Sequence, residues 1–146
     1  MKIAFVSNKN PRDIHLWSGT TLNIYQALSA CHEIVWHGGN LVDSGASFHR
    51  LKGNKGIYYP ENYTDIFSKV LTEEIFQGKY DIVVACNYYF AANLQINIPI
   101  VYISDSTFDL FKLYLNINNS HYASLAEVTE QRLIDNVDVL LYCSEW

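Results

Sequence analysis

Five short, continuously apolar segments constrain the fold of this chain more than any other feature. They are KIAFVS, EIVWH, DIVVAC, PIVYIS and DVLLYC, which begin at residues 2, 33, 81, 99 and 138. Apolar side chains recur at helical spacing between most of them, over residues 20–30, 63–77, 105–115 and 122–136. Buried strands that alternate with helices are typical of a parallel sheet covered by helices on both faces. The pattern therefore predicts an α/β fold.

A further short strand is predicted near Phe48 or over Ile57–Tyr59, which gives an open parallel sheet of about six strands. The expected strand order is 3-2-1-4-5-6, which makes the fold Rossmann-like. Gly78 follows the second helical segment, where a C-terminal cap glycine belongs. The acidic residues Glu74 and Glu130 lie in helical segments and are interpreted as parts of solvated faces.

Length and composition limit the classes of protein that remain. The 146 residues fit one domain, and hydrophobic residues at 49% supply a core, which argues against disorder. The net charge is -5 and the basic residues are scattered, so no nucleic-acid partner is expected. The residues show no metal-ligand spacing, and neither a metal nor a cofactor is predicted. The sequence begins with a strand pattern and has no long apolar run, so a cytoplasmic location is expected.

Polar residues follow three of the apolar segments. Ser104 and Asp105 end one of them, Asn87 follows another, and Ser144 with Glu145 follows the last. Ligands of open parallel sheets bind at the carboxyl ends of strands, so these residues form a candidate substrate-binding edge. Asp105 has two interpretations that the sequence leaves open. It either caps the following helix or acts as a catalytic carboxylate.

The first strand-to-helix connection is the usual position of a phosphate-binding loop. It carries one glycine, Gly19, where a dinucleotide fold would place GxGxxG, and no P-loop is present. Ser18, Gly19 and Thr20 at the start of a helix would let backbone N–H groups approach an anion. The alternative is that Ser18 or Thr20 only caps that helix. His37, at the end of a strand, either contacts a ligand or is a partly buried structural histidine.

Four stretches together resemble one known family. They are WSGT at residues 17–20 with the helix that ends in QALSA, DIVVA at 81–85, PIVYISDSTFDLF at 99–111, and a helix that leads into VDVLLYCSEW at 137–146. In this order and spacing they are similar to the N-terminal domain of retaining glycosyltransferases with the two-domain GT-B fold, family 4 in particular. The similarity extends over nearly the whole chain.

The resemblance implies the N-terminal, acceptor-side domain of a transferase that moves a sugar from a nucleotide-sugar donor with retention. The acceptor would be a sugar, a lipid or a protein, and peripheral membrane association is common among such enzymes. Gly19, with Ser18 and Thr20, would approach the donor phosphates or the acceptor. Many members place a histidine after the strand that here ends at Ser104, whereas this chain has Asp105 there.

The same resemblance implies a second, C-terminal domain that makes most of the donor contacts. Residues 1–146 are therefore expected to be a single domain, truncated before that second domain and inactive alone. The competing hypothesis is a stand-alone flavodoxin-like domain for ligand binding or regulation. A receiver domain needs an acidic pair after the first strand, where this chain has Asn8 and Asn10. A Rossmann oxidoreductase is disfavoured by the single glycine of the first loop.

Overall fold

The chain folds around one parallel sheet. The computed structural model describes residues 1–39, 61–86, 91–114 and 121–142. The strands in these residues are β1 (Lys2–Val6), β2 (Glu33–His37), β3 (Ile82–Ala85), β4 (Ile100–Ser104) and β5 (Val139–Tyr142). Every neighbouring pair runs parallel, in the order β2-β1-β3-β4-β5. The predicted α/β fold with an open parallel sheet is confirmed.

The strand order has its reversal between β1 and β3. The chain moves from β1 outward to β2, and then returns to the other side of β1 to add β3, β4 and β5. This order is the predicted 3-2-1-4-5-6 order without its edge strand 3. The two segments proposed for that strand, near Phe48 and over 57–59, lie outside the described residues. Ligands of open α/β sheets bind at such a reversal, beyond the carboxyl ends of the strands.

The described residues form four α-helices: α1 (Thr20–Ser29), α2 (Glu61–Gly78), α3 (Phe108–Tyr114) and α4 (His121–Asn136), and a short 3-10 turn over Leu16–Gly19 precedes α1. The α3 helix begins three residues later than the pattern predicts. Residues 105–107 form a turn instead, and the Ser104 hydroxyl donates to the Ser106 carbonyl at 2.9 Å. Among the described residues, no helix is long and apolar enough to cross a membrane.

Helices cover both faces of the sheet, as predicted. On one face Phe67 and Leu71 of α2 and Leu133 of α4 join a core that includes Val83 and Tyr102 of the sheet. On the other face, the α1 residues Ile24, Tyr25 and Leu28 pack against a cluster formed by Ile3, Phe5 and Val84. The burial of these side chains is the main stabilising term, at about 25 cal/mol for each Å² of apolar surface.

Gly78 has a different role from the predicted helix cap. The left-handed backbone after α2 is at Lys79, with φ 51°, and not at the glycine. The ring of Tyr80 folds back onto Gly78 so closely that a Cβ there would lie 2.1 Å from Tyr80 Cε2. The glycine is therefore required by close packing against a buried tyrosine ring, because no other residue leaves that space open.

Candidate functional site

The connection between β1 and α1 is a series of tight turns. The Asn10 side chain accepts the Arg12 N–H at 3.0 Å, and the Asp13 side chain accepts the His15 N–H at 2.9 Å. The Leu16 N–H then donates to the Asp13 carbonyl at 3.1 Å. Short polar side chains that bond to backbone two residues ahead are typical of Asx turns. Hydrogen bonds within residues 10–16 therefore order the part of the loop that precedes the predicted site residues.

The next three residues adopt a left-handed backbone in succession. The φ angles are 48° at Trp17, 52° at Ser18 and 86° at Gly19. A left-handed conformation costs a residue with a Cβ roughly 1–2 kcal/mol, and glycine avoids this cost. Such strain is concentrated at functional sites in proteins generally. Gly19 is buried and Ser18 is exposed, so the turn presents Ser18 to solvent.

This turn leads directly into α1. Gly19 occupies the N-cap position without a side-chain cap hydrogen bond, and the Thr20 N–H donates to the Trp17 carbonyl. The interpretation of Ser18 or Thr20 as a side-chain cap is therefore wrong. Because the Thr20 N–H already has an intrachain acceptor, an anion here would meet later N–H groups of the first helical turn.

Contacts with α4 hold the loop that follows β4. Both carboxylate oxygens of Glu130 accept the Phe108 N–H, at 2.8 and 3.0 Å. Thr107 adds a contact to the same helix start, where its hydroxyl accepts the Leu110 N–H at 3.4 Å. Phe108 packs with Ala123 of α4 in a small buried cluster. These contacts fix the start of α3 and the short turn that carries Asp105.

A side-chain hydrogen bond joins this turn to the first loop. The Trp17 indole N–H donates to Asp105 Oδ2 at 2.9 Å, across 88 residues of sequence. Trp17 is half-buried and Asp105 is exposed. Since β3 lies between β1 and β4 in the sheet, the contact crosses the sheet edge at the carboxyl end of β3. The residues predicted from two separate motifs thus lie at one edge, beside the reversal of strand order.

A group of titratable side chains lies beneath this edge. Burial raises the pKa of the Tyr102 hydroxyl far above its ordinary value, although a hydrogen bond with Ser104 opposes the shift. Burial also raises the pKa of Glu130, against the opposing hydrogen bond from Phe108. Tyr142, on the neighbouring strand, has a pKa raised by burial and by the Glu130 charge. Its buried hydroxyl has no hydrogen-bond partner among the residues that the structure describes. The base of the site is thus weakly polar and keeps its tyrosines neutral.

His37 is bound on both ring nitrogens. Its Nδ1 lies 3.1 Å from Glu74 Oε2, and its Nε2 lies 2.8 Å from the Tyr80 hydroxyl. Burial is the main cause that raises the pKa of Tyr80, with smaller contributions from Glu33 and Glu74. The histidine thus connects β2 to the end of α2. The geometry favours the structural interpretation of His37.

The predicted site residues have different outcomes. Ser18, Gly19 and Asp105 lie in the two loops that the Trp17 contact joins, Ser104 is the last residue of β4, and Thr20 begins α1. Asn87, Ser144 and Glu145 lie outside the described residues.

Three side chains of the structure were missed by sequence reasoning. Trp17 was part of a motif without a role of its own. Glu74 and Glu130 are not simply solvated, because Glu74 pairs with His37 and the half-buried Glu130 binds the start of α3. Both glutamates lie next to a buried position of an amphipathic helix, and this position was the available signal that they are not fully solvated. Helical spacing alone does not distinguish such a glutamate from a solvated one.

A concave region lies apart from the predicted residues. A groove of about 450 Å³ is bordered by Asp65 of α2, by Asn93 and by Arg132 and Asp135 of α4. Asn93 Nδ2 donates to Asp65 Oδ1 at 2.6 Å and thereby ties the groove floor to α2. No predicted site residue lines it. Within the described ranges, no group of three or more His, Cys, Asp or Glu residues could hold a metal ion.

Comparisons with known proteins give no relative for this arrangement. No family model, no curated protein and no solved structure matches the chain. The fold and the contacts of the described residues are therefore the basis on which a function can be proposed.

Proposed function

We propose that the chain is the acceptor-side domain of a retaining glycosyltransferase that uses a nucleotide-sugar donor. One observation carries the proposal, namely the hydrogen bond between Trp17 and Asp105. It brings together two of the four motifs, WSGT and SDSTF, on which the resemblance to GT-B enzymes depends. They meet at the edge of a parallel sheet where α/β proteins bind ligands.

The chemistry of the two loops supports an acceptor role. The Asp105 carboxylate accepts hydrogen bonds and can orient or deprotonate a sugar hydroxyl. The first turn of α1 has no side-chain cap, so its N–H groups and the helix dipole favour a negatively charged donor phosphate. No metal is part of the proposal, and the donor would be held mainly by a second α/β domain that closes over the edge.

Asp105 is the catalytic residue in this proposal, and Ser18, Gly19 and Ser104 are substrate contacts. The competing function, a stand-alone ligand-binding domain, would use the same edge without transfer. The two hypotheses differ in whether a second domain is needed and in whether Asp105 is needed for turnover as well as for binding.

A transferase assay separates the two hypotheses. A panel of nucleotide sugars is tested with this chain alone and with the gene product extended by any second domain, and sugar transfer is followed by mass spectrometry. We expect transfer only by the extended protein. Transfer by the chain alone would contradict the division of the site between two domains.

The role of Asp105 is tested in the active, extended protein. Asp105→Ser should lower the rate by roughly two or more powers of ten at unchanged stability, because the general base is lost. Asp109→Ser is the matched control, since Asp109 is an exposed carboxylate on α3 that pairs with Lys112 at 3.1 Å. A normal rate for Asp105→Ser would exclude the catalytic role.

A further inference from the structure

We propose that Trp17 is a latch on Asp105, which holds the site closed until a sugar ligand displaces the indole. The inference rests on the proposed function only for the chemical class of the ligand. The latch itself follows from the position of the Trp17 side chain and from the backbone that carries it.

The Trp17 indole already occupies one carboxylate oxygen of Asp105. The Trp17 indole N–H donates to Asp105 Oδ2 at 2.9 Å, which is the geometry a ligand hydroxyl would need for the same oxygen. A hydrogen bond to a charged acceptor contributes more than one between neutral groups. A ligand that uses this oxygen therefore competes with the indole.

The backbone that carries the Trp17 side chain is strained. Trp17 holds a left-handed φ of 48°, which is an outlier for a bulky side chain, and Ser18 follows it at 52°. The strained conformation persists only while surrounding contacts hold it. Release of the indole from Asp105 removes one such contact. In the released state, the turn is expected to relax to an unstrained backbone conformation.

The contact between Trp17 and Asp105 lies across the carboxyl edge of the sheet. The latch joins the loop after β1 to the loop after β4, and β3 lies between these strands. Two strand spacings separate β1 from β4, about 10 Å. A side-chain link of this span crosses the carboxyl end of β3, where the strand order reverses and where a ligand would enter.

The ligand class follows from what the latch would expose. The Asp105 carboxylate accepts hydroxyl groups, and the displaced indole offers a flat apolar face with one N–H at its edge. A hydroxyl-bearing ring with an apolar face suits both groups, and a sugar has this chemistry. Next to the Asp105 carboxylate itself, the neutral sugar ring is favoured over the charged phosphates of a donor, because like charges repel.

The contact is tested first without a ligand. The three indole N–H signals of the ¹⁵N-labelled chain are recorded by NMR, and Trp17→Phe identifies the Trp17 signal by its loss. In Asp105→Ala, this signal should move and its exchange with water should become about tenfold faster, because the charged acceptor is gone. Asp109→Ala is the matched control and should leave the signal unchanged. An unchanged Trp17 signal in Asp105→Ala would overturn the latch.

The displacement is tested by titration with methyl glucoside, methyl mannoside and a nucleotide sugar. Binding should shift the Trp17 signal in the wild-type chain. Trp17→Phe keeps the ring but lacks the N–H, so it should bind the same probe about tenfold more tightly. Weaker binding by Trp17→Phe would overturn the latch, since the indole N–H would then contribute to ligand binding instead of competing with it. If no sugar binds, the proposed function fails, while the Asp105→Ala result still decides whether the latch exists.

Discussion

At the scale of single residues, the left-handed turn of Trp17, Ser18 and Gly19 shapes the candidate site. Gly19 has φ 86°, and a Cβ there would have ordinary contact distances, the nearest being 3.6 Å to the Ile14 carbonyl oxygen. Space is thus available, and the backbone conformation alone demands glycine. Ser18 also has a left-handed backbone, with φ 52°, and its Cβ makes this conformation unfavourable.

Substitutions at these two positions should have opposite effects. Gly19→Ala should lower the free energy of unfolding by about 1–2 kcal/mol, because alanine is strained at this φ. Ser18→Gly should raise it by several tenths of a kcal/mol or leave it unchanged, since Ser18 is exposed and its strain is relieved. Urea unfolding of both variants measures the difference. Equal stability of Gly19→Ala and the wild type would contradict the left-handed turn.

The sequence could indicate candidates at this scale, but it could not reveal the partners of individual side chains. Gly19 and Asp105 were predicted because a lone glycine in a first loop and an acid after a buried strand are legible locally. The bond between Trp17 and Asp105 joins residues 88 positions apart, so it depends on strand order and loop path. The role of Glu130 depends likewise on where α4 crosses α3.

At the scale of elements, the junction between α2 and β3 is closely packed around Tyr80. Lys2 Nζ donates to the Gly78 carbonyl at 2.9 Å and lies 5.0 Å from the centre of the Tyr80 ring. The Tyr80 hydroxyl reaches His37 at the end of β2. One tyrosine thus connects a helix end, the first strand and the second strand.

Gly78→Ala distinguishes this packing from simple helix propensity. Propensity alone would make alanine more stable than glycine by up to about 1 kcal/mol. The Cβ would instead displace the Tyr80 ring, so we expect a loss of about 1–3 kcal/mol from overpacking. In a Tyr80→Ala background the obstruction is absent, and Gly78→Ala should then be neutral or stabilising. Stabilisation by Gly78→Ala in the wild-type chain would refute the packing.

Helical spacing predicted where α2 and α4 lie better than which side chains they bury. Helical spacing assigns Ile66, Phe67, Leu71 and Ile75 to the apolar face of α2. The last three are buried, whereas Ile66 is 56% exposed. Helical spacing also places Val128 on the apolar side of α4 with Leu125 and Leu133, but Val128 is 46% exposed. A helix that crosses a twisted sheet buries a narrow stripe, and small residues such as Ala126 and Thr129 occupy part of it.

At the scale of the whole molecule, the architecture follows from the strand pattern. Continuous apolar strands require cover on both faces, and alternation with helices supplies it. The core face beneath α2 and α4 also contains polar groups, among them the hydroxyl of the buried Tyr102. Tyr102 is 5% exposed, and it must stay neutral in the folded chain.

Alkaline pH should therefore destabilise the fold. Burial raises the folded-state pKa of Tyr102, whereas in the unfolded chain a tyrosine ionises near pH 10. Above about pH 10 the folded state retains a proton that the unfolded state loses, so stability falls by about 1.4 kcal/mol per pH unit for this residue. Tyr102→Phe should reduce that slope, and Tyr114→Phe, at an 87% exposed position, should not. Urea unfolding midpoints between pH 8 and 11 measure this pH dependence of stability. Identical slopes for the wild type, Tyr102→Phe and Tyr114→Phe would contradict the burial of Tyr102.

The central claim is that the two loops joined by Trp17 and Asp105 form one ligand site at the carboxyl edge of the sheet. Backbone amide shifts of the ¹⁵N-labelled chain, titrated with the sugars and nucleotide sugar named above, test it most directly. The account predicts that the perturbed amides among the described residues cluster at 16–21 and 104–108. Perturbation confined to the groove of Asp65, Asn93 and Arg132 would contradict it.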